Sequence, residues 1–337
     1  MAQRIQFIDL AKGLCITLVV LYHINIRFDL YPPLFAALST FRMPLYFLLS
    51  GLFFKEYENF LGFLKRKTNK LLIPFLFFYL ITSFLMPNLL YLLGHTLDKT
   101  ASLGITGLWA FVTKEQFSNG PIWFLWCLFV LNIIFYSIFL LSKLIGRYFI
   151  AALIIMSCIL GSAGMILSVN HINLPAFIDT ALTATPFFCV GYILRKHTTI
   201  LYPNSIDKYL IVFIILCFII NILSGGGGCA YKGNHFHISP WQVYLSGISG
   251  TLGIIFLAKY LKDIPFFSYW GRYSIMVLTT HGLLLQVYIP IAKKIPVSAT
   301  LTEIILLIVT MFSYNIIIPI MKKYLPYVTA QKDVIKI

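Results

Sequence analysis

Apolar residues run through this chain in long stretches, each closed by a short cluster of charged, proline or glycine positions. A helix that crosses a bilayer needs about 20 predominantly apolar residues at ~1.5 Å per residue. Ten stretches meet or approach that requirement: 7–26, 32–54, 71–93, 121–142, 147–167, 176–194, 208–223, 241–258, 273–290 and 299–320. The pattern predicts an all-α polytopic membrane protein, a bundle of about ten transmembrane helices. No Pro/Ser-rich linker or tandem repeat divides the chain, so residues 1–337 are expected to form a single domain. Its helical core would cover 7–320, followed by a short tail over 321–337.

Composition agrees with that division. The 337 residues are 59% hydrophobic and only 11% charged, with a mean hydropathy of +0.88, against about 25% charged residues in a soluble domain. Thirty Phe and twenty Tyr suit lipid-facing surface and interfacial belts. The net charge of +15 acquires meaning only from its placement. With the N-terminus on the cytoplasmic side, the inner segments hold eighteen Lys and Arg residues and the outer segments six, leaving out Lys12 and Arg42 inside helices. The positive-inside rule therefore predicts both termini cytoplasmic. The bilayer is the expected partner and nucleic acid is not. Asp9 and Lys12 interrupt the start of the first run and no small-residue site follows it, so no cleavable signal is expected. Five of six cysteines fall in apolar runs with no C-x-x-C pair, which favours packing over metal or disulfide use.

Ionisable groups at membrane depth are expensive, by about 2.5–3.5 kcal/mol on insertion scales, and so are informative. The segment "LAKGLCITLVVLYHINI" (10–26) holds Lys12 and His23, separated by ~16 Å along a helix. Asp9 lies three residues before Lys12 and can pair with it, whereas His23 has no local partner. In "FRMPLYFLLSGLFF" (41–54), Arg42 keeps its proton and must meet an anion, a carbonyl or water. Pro44 removes a backbone hydrogen bond and is expected to open carbonyls to a cavity. Ser50 and Gly51 fit close helix contact. "NGPIWFL" (119–125) presents Trp123, which alone reads as an interface anchor. "YWGRYSIMVLTTH" (269–281) puts His281 ~12 Å into the ninth span, at a depth overlapping that of Arg42. His23, Arg42 and His281 are therefore expected to face one cavity.

Two outer connections stand out. Residues 94–120 form a long loop. "SGGGGCAYKGNHFHISPW" (224–241) combines four glycines with Asn234, His235 and His237, and a flexible or re-entrant polar loop is expected. Two histidines without carboxylates do not amount to a metal site. On the inner side, "KRKTNK" (65–70) supplies Lys65, Arg66, Lys67 and Lys70, which serve topology alone or bind an anion.

Together these segments resemble the acyltransferase-3 family of integral membrane acyltransferases, most closely its fucose 4-O-acetylase-like branch. "RIQFIDLAKGLCITLVVLYH" is similar to the family's opening, with Lys12 where many members carry arginine. "FRMPLYFLLSGLFF" is similar to its second-helix signature, with Arg42 where histidine is frequent. "GPIWFL" and "GRYSIMVLTTH" follow in order, so the likeness runs from about residue 4 to 320.

The resemblance implies O-acyl transfer, usually of acetyl from acetyl-CoA, to a carbohydrate hydroxyl of a surface polysaccharide or its lipid-linked precursor. It implies the setting of a bacterial cytoplasmic membrane. The branch alone suggests fucose. The chemistry fits the residues. A sugar hydroxyl needs a general base, for which histidine is suited. The thioester oxyanion needs a fixed cationic donor. His23, Arg42 and His281 are thus the expected catalytic groups. Lys12, Lys65, Arg66, Lys67 and Lys70 would serve acyl-CoA, its pantetheine arm passing Lys12 toward His23. Asp9, Trp123, Asn234 and His235 would serve the acceptor. No tightly bound cofactor and no metal are expected, acetyl-CoA being a co-substrate. The principal alternative is a transporter or flippase for a lipid-linked glycan, which buried Arg and His would also fit. A membrane scaffold accounts for the spans but not for their charges.

Overall fold

The structure, a computed structural model, describes residues 5–28, 33–57, 59–94, 103–113, 118–202 and 209–336. The basic residues Arg4, Lys99, Lys114 and Lys208, which entered the orientation argument, lie outside the described residues. The chain is a helical bundle with a single two-stranded ribbon among the described residues. Its long helices are α1 (Gln6–Arg27), α2 (Pro33–Leu52), α3 (Phe60–Leu92), α5 (Trp123–Lys143), α6 (Phe149–Val169), α7 (Ile178–His197), α9 (Pro240–Leu261), α11 (Ser274–Ala292) and α12 (Ala299–Tyr324). Shorter elements are α4 (Gly104–Thr113), α8 (Leu210–Ser224) and α10 (Pro265–Arg272), with β1 (Cys229–Ala230) and β2 (His235–Phe236) between α8 and α9.

Nine of the described helices are long and apolar enough to cross a membrane, so this is a multi-pass membrane protein. The expected tenth span, 208–223, becomes the 15-residue α8. At ~1.5 Å per residue it reaches about 22 Å, short of a ~30 Å hydrocarbon core. Two further departures have local causes. The third span begins at Phe60 rather than at 71, because the basic lead-in "FLGFLKRK" is already helical, with the Asn59 side chain accepting from Gly62 N–H at its start. The 94–120 connection contains the apolar α4, seated by Tyr79 Oη donating to Gly107 O at 2.6 Å.

Helix α3 holds two π-helical stretches, Thr68–Leu72 and Tyr79–Leu85, each ending two residues before a proline, Pro74 and Pro87. A proline's missing N–H interrupts the α ladder, and a wider turn accommodates the gap.

Helix α1 is the hub of the bundle, packing on α2, α9, α10, α11 and α12. Small residues let backbones meet. A Cβ on Gly13 would overlap the Phe267 carbonyl, and one on Gly271 the Asp9 carbonyl, which locks α10 against α1. Gly51 and Gly191 do the same for α2 and α7, so Gly51 serves packing. The faces of the bundle differ. One carries Lys65, Arg66, Lys67, Lys70 and the C-terminal tail, and is called here the lysine-rich face. The other carries the β1–β2 ribbon and is called the hairpin face.

Candidate active site

The hairpin between α8 and α9 is tied to the bundle by hydrogen bonds. Pro44 in α2 has no N–H, so the carbonyl of Thr40, four residues earlier, loses its helical partner. Tyr231 Oη supplies that bond, donating to Thr40 O at 3.0 Å. Cys229 N–H donates to Ser39 Oγ at 2.8 Å, and Thr180 Oγ1 donates to Tyr231 O at 2.9 Å. Asn234, buried and in the left-handed region at φ 53°, closes the turn. Its Nδ2 donates to Gly164 O at 3.0 Å and its Oδ1 accepts from Thr183 Oγ1 at 2.9 Å. The glycines serve the same closure, Gly228 adopting φ +77° where its backbone lies against α2. The proline gap thus holds the ribbon in place instead of opening carbonyls to a cavity.

Beneath this ribbon lies a cavity of about 250 Å³. His23 and Tyr22 enter from α1, Arg42 from α2, Trp123 from the start of α5, and Tyr231 and Lys232 from the hairpin. Arg42 is buried, and its guanidinium lies 3.9 Å over the Tyr22 ring. It hydrogen-bonds the Tyr22 side chain and, over a long 3.4 Å, donates from Nη1 to Leu18 O. Among the described residues no carboxylate pairs with it. A buried cation without a carboxylate partner is able to take an anion. Lys232 adds a second cation at the mouth, and burial lowers its pKa below the ordinary lysine value.

His281 sits behind His23, fully buried, with ring centroids 5.1 Å apart. Its Nδ1 lies 2.9 Å from Val277 O, and since a carbonyl only accepts, Nδ1 carries the proton. In the neutral ring Nε2 is then the acceptor, and it has no hydrogen-bond partner among the described residues. Asn119 positions this segment of α11, its Nδ2 donating to Thr279 O at 2.8 Å.

The structure therefore brings His23, Arg42, His281 and Trp123 together, with Trp123 as a buried wall of the cavity rather than an interface anchor. It places the other candidates elsewhere. Asp9 lies at the α1–α10 contact, about 21 Å along α1 from His23. Lys12 is one turn further on, its Nζ 5.7 Å from the Phe53 ring centroid and its carbonyl accepting from Tyr46 Oη at 3.0 Å. Lys65, Arg66 and Lys67 line the lysine-rich face, Lys67 beside the Phe63 ring. Lys70 contacts the C-terminal tail, donating to Ala330 O at 2.9 Å and pairing with Asp333 at 2.9 Å. His235 faces a second cavity beside the hairpin.

The family model described as an acyltransferase domain matches residues 5–318. The chain belongs to the acyltransferase-3 family. None of the curated proteins and none of the solved structures matches it. The family assignment gives the chain a reaction class, acyl transfer. Tyr22, Tyr231 and Lys232 line the same cavity as His23 and Arg42, although the sequence alone did not single them out. For Tyr231 a signal existed, because Pro44 leaves a carbonyl that some donor must satisfy.

Proposed function

We propose that the protein transfers an acetyl group from acetyl-CoA to a hydroxyl of a carbohydrate, with His23 as general base and Arg42 as oxyanion stabiliser. The observation that carries this reading is the buried, carboxylate-free guanidinium of Arg42 sharing one cavity with His23. As the acceptor oxygen attacks the thioester carbon, its proton passes to a ring nitrogen of His23. The carbonyl π electrons move onto oxygen, beside Arg42. Collapse of the tetrahedral intermediate breaks the C–S bond, and the thiolate takes the proton from His23, leaving the sugar ester and free CoA. His281, its Nδ1 held by Val277 O and its ring 5.1 Å from that of His23, supports the position of the His23 ring by packing.

The lysine-rich face is the cytoplasmic one in this proposal, and Lys65, Arg66 and Lys67 meet the phosphates of CoA there. The pantetheine arm follows α1 from Lys12 to His23, a rise of ~16 Å. A cavity of about 250 Å³ suits an acetyl group and part of a sugar ring rather than a glycolipid in transit. The acceptor belongs to a surface polysaccharide or its lipid-linked precursor, and Lys12 favours the fucose 4-O-acetylase-like branch.

The test is free-thiol release by purified protein given acetyl-CoA and a panel of sugars, for wild type and His23→Ala. Sugar-dependent release that disappears in the variant is expected. Release by the variant at the wild-type rate would remove His23 as the base, and no release with any acceptor would reject the function.

A further inference from the structure

The hairpin that covers the reaction cavity borders a second cavity, of about 460 Å³, with no role in the chemistry above. The two share one ribbon. Ala230, which lines the reaction cavity, is the direct ladder partner of His235, which lines the second. Antiparallel partners stand about 5 Å apart and project from the same face, so the two cavities draw on adjacent residues of one ribbon, β1 lining the first and β2 the second.

Three imidazoles line the second cavity: His235 and His237 from the hairpin, and His171 from the end of α6. His171 occupies an unusual backbone position. Helix α6 ends with Ile172 N–H bonded to Leu167 O at 2.9 Å and His171 N–H to Ser168 O at 3.1 Å. This is a Schellman cap, whose left-handed residue is ordinarily glycine. Here it is histidine at φ 54°, a strained choice that sets its ring 5.9 Å from that of His235. Phe236 and Ser168 complete the polar and aromatic lining, and Met165 adds an apolar wall.

The lining indicates the ligand class. Among the described residues no Lys, Arg, Asp or Glu lines the cavity, so the lining has no charged partner for the phosphates of a cofactor. Among the described residues no group of three or more His, Cys, Asp or Glu is arranged to hold a metal. Neutral imidazoles each present one donor and one acceptor, and with a phenyl face they match alternating hydroxyls and C–H faces. The volume falls within the ~300–1,000 Å³ of small-molecule sites.

We propose that this cavity is a second carbohydrate subsite, which holds the neutral glycan next to the sugar being acylated. The proposal rests on the carbohydrate acceptor assigned above, and extends it from a single sugar to an oligosaccharide.

Calorimetric titration of the full-length protein in nanodiscs with a neutral, fucose-ended trisaccharide tests it. The variants are His171→Gly, which suits the left-handed backbone and spares the cap, His235→Ala, and His23→Ala. The expected result is binding by wild type and by His23→Ala, weakened about tenfold by each of the other two, as for loss of a buried hydrogen bond. Trisaccharide affinity unchanged in both variants, or no trisaccharide binding by wild type, overturns the subsite. So does stoichiometric Zn²⁺ binding that depends on His171 and His235. Thiol release is measured separately. Transfer without dependence of trisaccharide affinity on His171 and His235 defeats the subsite alone, and dependent binding without transfer defeats the acyl-transfer function alone.

Discussion

The ring of His281 lies 5.1 Å, centroid to centroid, from that of His23, tilted by 48° and wholly shielded from solvent. Only His23 reaches the cavity lining, so the two histidines have different tasks. His281 is anchored through Nδ1 to Val277 O and packs its ring against that of His23. His23→Ala is expected to lower kcat by about 10²–10⁴-fold, the range for loss of general acid–base catalysis. His281→Ala should have a smaller effect, about 10–10²-fold, because His281 supports the His23 ring by packing and does not itself reach the cavity. Steady-state kinetics with acetyl-CoA and the best acceptor measures both. Equal losses would make His281 a second proton-transfer group.

Arg42 is held by geometry rather than by charge pairing. Its guanidinium stacks at 3.9 Å over Tyr22, an arrangement that a flexible ammonium does not reproduce. Arg42→Lys should therefore cost kcat about 10²–10³-fold, as removal of an oxyanion donor does. Charge is conserved in that variant, so retention of full activity would show that charge alone suffices. Folding is checked independently by size-exclusion behaviour.

Pro44 and Tyr231 form a single device. Tyr231→Phe leaves the Thr40 carbonyl buried without its donor, at a cost of about 1–3 kcal/mol. Pro44→Ala restores an N–H that bonds the same carbonyl. The double variant should then be less destabilised than the two single changes added together, by about 1 kcal/mol. Thermal unfolding of the four proteins in one detergent closes the cycle, and strict additivity would deny the coupling.

These three relations differ in how far the sequence displayed them. His23, Arg42 and His281 stand out because an ionisable residue within an apolar run needs a reason. Tyr22 and Tyr231 do not stand out in a chain with twenty tyrosines. Lys232 looks like an ordinary loop cation until the hairpin folds over the cavity. Helix α10, eight residues long, is too short to register as a span, yet it seats α1 through Gly13 and Gly271. Periodicity reveals which segments are helical. It does not reveal which carbonyl a distant tyrosine will satisfy, because that depends on tertiary packing.

Glu56, in the turn between α2 and α3, bridges Lys143 at 3.0 Å and Lys196 at 2.9 Å. Hydrogen bonds from Lys196 and then Lys143 hold its carboxyl below the usual glutamate pKa. A carboxylate with a lowered folded pKa stabilises above its unfolded value of about 4.3 and loses that contribution as pH falls through the folded value. The cluster is well exposed, so solvent screening limits the effect to below about 1 kcal/mol. Glu56→Gln should thus unfold slightly earlier than wild type at pH 7, and the difference should fade as pH falls below about 4. A difference that grows on acidification would contradict the assignment.

The C-terminal tail reaches back to the cation cluster at the lysine-rich face. Asn69, buried in the first π stretch of α3, receives the backbone N–H groups of Val334 at 3.0 Å and Ile335 at 2.9 Å. Its Nδ2 donates to Ile335 O at 2.7 Å, so one side chain imitates a neighbouring β-strand. The Asp333 carboxylate is thereby set on Lys70, where a cofactor phosphate would otherwise compete for the same ammonium. Asn69→Ala removes all three bonds, and the Val334 and Ile335 amides should exchange with deuterium at least ~10-fold faster, as in local unfolding. Asp333→Asn should lower the KM for acetyl-CoA by up to about fivefold, the range set by an exposed ion pair. Its kcat should stay within twofold of wild type, because the reaction cavity lies at the opposite face. An unchanged KM would mean that Lys70 serves the tail alone, leaving Lys65, Arg66 and Lys67 to meet the cofactor.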